Sequence, residues 1–175
     1  MKVLSRLRRF LCATDGTASV EIVVLFPLML WPFLTGMEAG IMQMRRVMFE
    51  HAVDVVARDV RMGLPTVGTA ADIRAAVCDR AIVIPDCDAD LMLELSAVEV
   101  EGYTAQETAV TCRNRDLEVQ PATSFNPGSQ NELMLMRFCV LYDPIFPGVG
   151  IGARLDRVEG GGVAMVTETF FVNEP

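Results

Sequence analysis

DGTASVEIVVLFPLMLWPFLTGMEAGIMQMRR, residues 15–46, contains the most apolar run of the chain, and no residue from Ile22 to Met37 is charged. A run of this length and composition predicts a helix that enters a lipid bilayer. Glu21 lies at the inner edge of the run. Because a carboxylate costs a few kcal/mol in hydrocarbon, Glu21 needs either a charged partner or a position at the membrane interface.

A basic leader precedes this run. Its cations are Lys2, Arg6, Arg8 and Arg9. Gly16 then stands five residues before Glu21, ahead of the apolar helix. A secretory signal peptide has the opposite order, because its cleavage site follows its apolar region. The leader, the glycine and the glutamate together resemble a type IV prepilin signal.

Three pieces of the sequence resemble the TadE-like pseudopilins of tight-adherence (Flp-type) pilus systems. They are Asp15–Glu21 with the following Leu25–Leu28, the amphipathic stretch Arg45–Arg61, and the C-terminal Phe170–Pro175. In that family a membrane peptidase cuts after the glycine and leaves the helix in the membrane. The resemblance therefore implies a processing site at Gly16 and Thr17, with Glu21 fifth in the mature chain. Ile22 departs from the family pattern, in which an aromatic residue often follows the glutamate.

We expect three segments: a leader over residues 1–16, a transmembrane helix over residues 17–44 and a body over residues 45–175. The 17 residues of Val20–Gly36 would form a helix of about 25 Å. Spanning about 30 Å of hydrocarbon therefore requires the helix to continue towards Met44. Gly36 and Gly40 have the spacing that lets two membrane helices approach closely, although chance accounts for such a pair about equally well.

The body is predicted to be α+β. Helical periodicity continues over residues 45–63, which joins the anchor and the start of the body in one long helix. A capping-box pattern at Thr69–Asp72 begins a second, short helix that extends through Ala81. The predicted strands are Leu91–Glu101, a short strand around Ala109–Cys112, Leu133–Tyr142 in the centre, and Val163–Val172. These elements indicate a small, mostly antiparallel sheet packed on the long helix, as in pilins.

Charge and cysteine content indicate the location of the body. Four basic residues precede the apolar run, whereas only Arg45 and Arg46 follow it closely, which favours a cytoplasmic N-terminus. Four cysteines follow the run, an even number that is typical of an oxidising compartment. The formal charge of −8 argues against a nucleic-acid partner. We therefore expect a single-pass inner-membrane protein with a periplasmic body.

The four body cysteines allow three disulfide pairings. Cys78 lies at the end of the second helix and Cys87 follows a proline turn, whereas a turn cluster separates Cys112 from Cys139. These chain reversals favour Cys78–Cys87 and Cys112–Cys139. The second disulfide would close a loop of about 27 residues and contribute about 3 kcal/mol in the chain-entropy model. The alternative is that the thiols are buried and reduced.

No motif in the sequence carries catalytic chemistry. His51 is the only histidine and lies among helical residues, which is typical of a surface residue rather than a catalyst or metal ligand. The cysteines lack the C-x-x-C spacing of a zinc site. Glu159–Gly162 lacks the Lys-Ser/Thr of a phosphate-binding loop. We expect no enzymatic activity, no cofactor, no metal and no small-molecule substrate.

The favoured function is that of a minor pseudopilin in pilus assembly. A prepilin peptidase would process the chain, and its N-terminal helix would pack against other pilin-like subunits and the assembly machinery. The resemblance implies that Glu21 meets the new amine of Thr17 on a neighbouring subunit. The alternative is an unprocessed, single-pass periplasmic scaffold or binding protein of a secretion complex. The N-terminal residue of the membrane form, Thr17 or Met1, distinguishes the two.

Overall fold

The computed structural model describes residues 17–98 and 110–174, with side chains from residue 19 onwards. The fold is α+β, as predicted. Its helices are α1 (Thr17–Arg61), a 3-10 turn (Pro65–Val67), α2 (Ala70–Arg80) and α3 (Cys87–Asp90). Its strands are β1 (Met92–Ala97), β2 (Leu133–Tyr142) and β3 (Val163–Val172).

The helix α1 is continuous over 45 residues, about 68 Å, and includes Pro27 and Pro32. It confirms the predicted continuation of the apolar helix into the body. The helix ends at Gly63, whose φ of 65° is readily adopted by glycine. The Gly63 amide donates to the Val60 carbonyl and the Leu64 amide donates to the Asp59 carbonyl, at 2.9 and 3.2 Å. These two hydrogen bonds form a Schellman motif, which satisfies carbonyls that a helix end otherwise leaves free.

The second helix begins as its sequence predicts. The Thr69 hydroxyl accepts a hydrogen bond from the Asp72 amide at 3.2 Å, and the Asp72 carboxylate accepts one from the Thr69 amide at 3.1 Å. This is a complete capping box, with aspartate in the position that glutamate usually occupies. The short helix α3 was not predicted from the sequence.

The three strands form an antiparallel sheet in the order β1-β2-β3. The strand β2 is central, and β2 and β3 have the predicted bounds. The prediction for β1 is wrong at its N-terminal end, because the Leu91 amide donates to the Cys87 carbonyl at 2.8 Å and so closes α3. At its predicted C-terminal end, Val98 lies beyond the strand, which ends at Ala97, and residues 99–101 lie outside the described part of the chain.

The predicted strand around Ala109–Cys112 is wrong for the residues that the structure describes, since Val110–Cys112 has no strand structure. Cys112 is bonded to Cys139 in the middle of β2. Because a side chain of a central strand points away from the plane of the sheet, this disulfide places the segment over a face of the sheet instead of beside an edge.

The core lies between one face of the sheet and the C-terminal half of α1. The rings of Phe49 on α1 and Phe138 on β2 meet edge to face, with their centroids 6.4 Å apart. Other core residues are Ala52, Val53 and Val56 on α1, Ile73 and Val77 on α2, and Met134, Met136 and Val140 on β2. On the other face of the sheet, buried Arg137 lies opposite Glu94 and Glu168, with N–O distances of 4.0 and 3.6 Å.

Candidate functional site

The N-terminal half of α1 is apolar, and every residue from Ser19 to Phe33 is exposed. Val23 is 71% exposed and Trp31 is 56% exposed, although both are large and apolar. Among the described residues, α1 is the one helix long and apolar enough to cross a membrane. A monomeric soluble protein rarely leaves a continuous apolar surface of this kind uncovered. The exposed half of α1 is therefore a surface that lipid or another helix can cover.

The residues predicted to act in assembly lie along this exposed half. Glu21 is exposed, and no side chain of the described residues pairs with it. Gly36 and Gly40 are also exposed, and a Cβ atom added at either would meet no other atom within 4 Å. Gly16 lies outside the described residues. Thr17 is the first described residue and the first residue of α1. Among the described residues, the body does not cover Glu21, Gly36 or Gly40, so this side of α1 is available to lipid or to a second molecule.

The boundary between the exposed and the packed halves of α1 is Glu38, which is 1% exposed. Its Oε1 accepts a hydrogen bond from the Ile145 amide at 3.1 Å, and its Oε2 accepts one from the Phe146 amide at 2.9 Å. Both carboxylate oxygens are thereby satisfied by backbone donors, which a buried carboxylate requires. Glu38 thus fastens the loop after β2, residues 143–152, to the helix.

Two further contacts hold this loop against α1. Gly150 has a φ of 59° and lies so close to Thr35 that a side chain at position 150 would collide with the threonine. Arg45 donates a hydrogen bond to the Asp143 carbonyl at 3.3 Å, and its guanidinium carbon lies 5.6 Å from the centre of the Tyr142 ring. The helix therefore meets the body from Thr35 onwards, well before Met44, where the transmembrane segment was expected to end.

The phenol of Tyr142 is buried beside these charges. Burial is the main reason why its pKa lies above the ordinary value for tyrosine, and the negative charge of Glu38 raises the pKa further. The positive charge of Arg45 acts in the opposite direction. At the junction between α1 and the 143–152 loop, the pKa of Tyr142 therefore depends both on burial and on the two neighbouring charges.

Sequence reasoning missed the role of Glu38. The notable signal was a carboxylate one residue beyond a charge-free stretch that ends at Met37. Such a group needs a partner, as was argued for Glu21. The partners are backbone amides of a loop more than a hundred residues later, and backbone amides have no sequence signature.

Two disulfides fasten the body, and they are the pairs favoured from the sequence. Cys78 and Cys87 have Cα atoms 5.6 Å apart and connect α2 to α3. Cys112 and Cys139 have Cα atoms 5.3 Å apart and connect the 110–122 segment to β2. Disulfides persist in oxidising compartments, so the two disulfides indicate such a compartment for the body.

An ion cluster fixes the same segment beyond Cys112. The Arg115 guanidinium contacts the carboxylate of buried Asp90, and its Nη1 donates to Asp143 at 2.8 Å. The hydrogen bond to Asp90, with that to Asp143, holds the pKa of Arg115 above its ordinary value. Arg115 therefore joins α3 to the start of the 143–152 loop. Together with the two disulfides, this ion cluster connects α2, α3, β2 and the 110–122 segment to the loop that contacts α1.

Within residues 17–98 and 110–174, no three His, Cys, Asp or Glu side chains are grouped so that they could hold a metal ion. His51 is exposed on α1. Comparison of the chain with protein-family models, with curated proteins and with solved structures finds no match. The features of the described residues that bear on function are the helix α1, its junction with the body and the two disulfides.

Proposed function

We propose that the protein is a minor pseudopilin of a tight-adherence pilus system. In this proposal a prepilin peptidase cleaves the chain after Gly16, the apolar half of α1 stays in the inner membrane, and the body lies in the periplasm. The observation that carries the proposal is the division of α1 into two halves. One half is apolar and exposed, and the other forms part of the core of a small, disulfide-bonded α+β body.

We assign Thr17–Met37 as the membrane-spanning part. These 21 residues of helix are about 31 Å long, which matches a hydrocarbon core of about 30 Å. The contacts of Glu38 with the body support this boundary, since irregular backbone exposed to hydrocarbon would leave its polar groups unsatisfied. The spanning part thus ends before Met44.

One face of α1 is suited to contact with another helix. At about 100° per residue, Met29, Gly36 and Gly40 share one side of the helix, and Glu38 points to the opposite side, towards the body. The two glycines leave the backbone accessible on the side that the body does not cover. Glu21 lies within about 60–100° of the glycines around the axis. This face would pack on neighbouring subunits, with Glu21 pairing with the amine of Thr17 of the next subunit.

Site-specific photo-crosslinking in the native cell tests this function. We would place benzoylphenylalanine at Met29, which is 73% exposed and lies on the glycine face. The expected result is adducts with other pilin-like subunits, reduced several-fold by Gly36→Leu with Gly40→Leu and by Glu21→Gln. Val24→Phe is the matched control, because Val24 lies about 120° away from the glycine side. Adducts that are absent, or equally abundant in the glycine variant and in the control, would contradict the proposal.

A further inference from the structure

We propose that the 143–152 loop is a second membrane contact, which lies in the lipid headgroup region beside the point where α1 leaves the bilayer. The inference rests on the membrane span proposed above. It adds a lipid-facing surface that belongs to the folded body and not to the anchor helix.

The composition of the loop fits this position. Residues 145–152 read IFPGVGIG and contain no charged and no hydrogen-bonding side chain. Ile145 is 46% exposed, and Pro147 is also exposed. Apolar side chains of this kind, carried by an element that lies along the membrane surface, bury about 5–10 Å into the boundary between headgroups and acyl chains.

The contacts of the loop set its level relative to the membrane. Glu38 holds the amides of Ile145 and Phe146, and Thr35 touches Gly150. Thr35 and Glu38 lie at the end of the apolar stretch, so the loop lies at the level where the helix enters the headgroups. The exposed side chains on the outer side of the loop therefore lie among the lipid headgroups.

The charges at this level are already paired within the protein. Both oxygens of Glu38 accept backbone hydrogen bonds, and the Asp143 carboxylate is bonded to Arg115. Glu38 therefore needs no water at the membrane surface, whereas the exposed Asp143 carboxylate remains in contact with the hydrated headgroup region. Arg45, about two turns beyond Glu38, places a cation on the body side of the loop, where a basic residue is favoured near lipid phosphates.

Tryptophan quenching by brominated phosphatidylcholine tests the inference on the full chain in vesicles. Trp31 is the only tryptophan, so the wild type reports on the span itself. Trp31→Phe with Ile145→Trp reports on the loop. The control is Trp31→Phe with Ile82→Trp, because Ile82 is 77% exposed and lies just after Arg80, which pairs with Asp59 at 3.6 Å. Asp59 is about 31 Å along the helix from Glu38.

With bromines near the carbonyl end of the acyl chains, we expect about twofold quenching at position 145 and none at position 82. Equal quenching at positions 145 and 82, with Trp31 quenched in the wild type, would overturn this inference and leave the span intact. An unquenched Trp31 would overturn both. Trp31→Phe with Pro147→Trp provides a second reporter if Ile145→Trp fails to form its disulfides, and the same outcomes apply to it.

Discussion

Glu38 accepts a hydrogen bond from the backbone amide of Phe146 at 2.9 Å, although the two residues are 108 positions apart in the chain. Its second oxygen accepts a hydrogen bond from the neighbouring Ile145 amide. Glu38 therefore joins α1 to the loop after β2 immediately beyond the apolar stretch. In the proposed membrane topology, this contact sets the orientation of the body relative to the bilayer.

Glu38→Gln should destabilise the body by about 2 kcal/mol, because the amide loses the charge and turns an NH₂ group towards one of the two backbone donors. Urea unfolding in detergent measures this change. Exchange of the Ile145 and Phe146 amides should accelerate in the same variant. Glu50→Gln is the control, since Glu50 is half exposed and pairs only with exposed Arg46 among the described residues. The control should change stability by less than about 0.5 kcal/mol. Equal effects of the two substitutions would show that the Glu38 contact does not hold the loop.

Removal of the Cys112–Cys139 disulfide should lower the unfolding free energy by about 3 kcal/mol, because it closes a loop with a sequence separation of 27 residues. The Cys78–Cys87 disulfide closes a separation of 9 residues and should contribute about 2.5 kcal/mol. Urea unfolding of the two double alanine variants compares them. Peptide mapping without reduction checks the pairing, and a linked Cys78–Cys112 or Cys87–Cys139 peptide would contradict the structure.

The phenol of Tyr142 should ionise at a higher pH than an exposed tyrosine, because burial and Glu38 disfavour the phenolate. Its folded pKa lies above its unfolded pKa, so its stabilising contribution is present below about pH 10 and is lost as the pH rises through the folded value. A Tyr103→Phe variant leaves Tyr142 as the only tyrosine, and phenolate absorbance follows its titration. Arg45→Gln should raise the Tyr142 pKa further. A midpoint that stays at the ordinary tyrosine value would contradict the burial argument.

Much of the fold follows from residue patterns within single segments. The apolar run and its amphipathic continuation predicted α1, and Thr69 with Asp72 predicted the start of α2. The strands β2 and β3 were predicted with their bounds because both are long and turn residues precede each of them. The strand β1 was placed less well, since the amide of Leu91 closes a four-residue helix that has no periodicity of its own.

The candidate site was only partly predictable, for a physical reason. Sequence reasoning identified three residues of α1 from their spacing along the chain. Glu21 lies five residues after Gly16, and Gly36 and Gly40 are four residues apart. The contacts of Glu38 and Thr35 are with backbone amides and a glycine of a distant loop. Such partners depend on where the folded sheet places the loop, which no local pattern encodes.

Protease added to spheroplasts should digest the body and leave the membrane-spanning helix. The basic residues before the apolar run and the two disulfides both indicate this orientation. Arg154 and Arg157 follow the 143–152 loop, are exposed and provide trypsin sites. Detergent lysis provides the control for total digestion. Protection of the body in intact spheroplasts, with digestion only after lysis, would reverse the assigned orientation.

Gly16→Leu should leave the leader attached, because the resemblance to prepilin signals assigns the cut to the bond after Gly16. The variant should migrate as a form larger by residues 1–16 in membranes that contain the peptidase. Ala13→Leu is the matched control, since it adds the same side chain within the leader and should be processed normally. A Gly16→Leu protein of the same mature size as the control would show that this glycine does not determine cleavage.

We propose that the chain is a processed pseudopilin whose helix remains in the membrane. Sequencing the N-terminus of the protein isolated from its own inner membrane tests this proposal. We expect Thr17 as the first residue, with Glu21 fifth. Met1 as the first residue of the membrane-bound protein would contradict it and would favour an unprocessed, single-pass periplasmic scaffold.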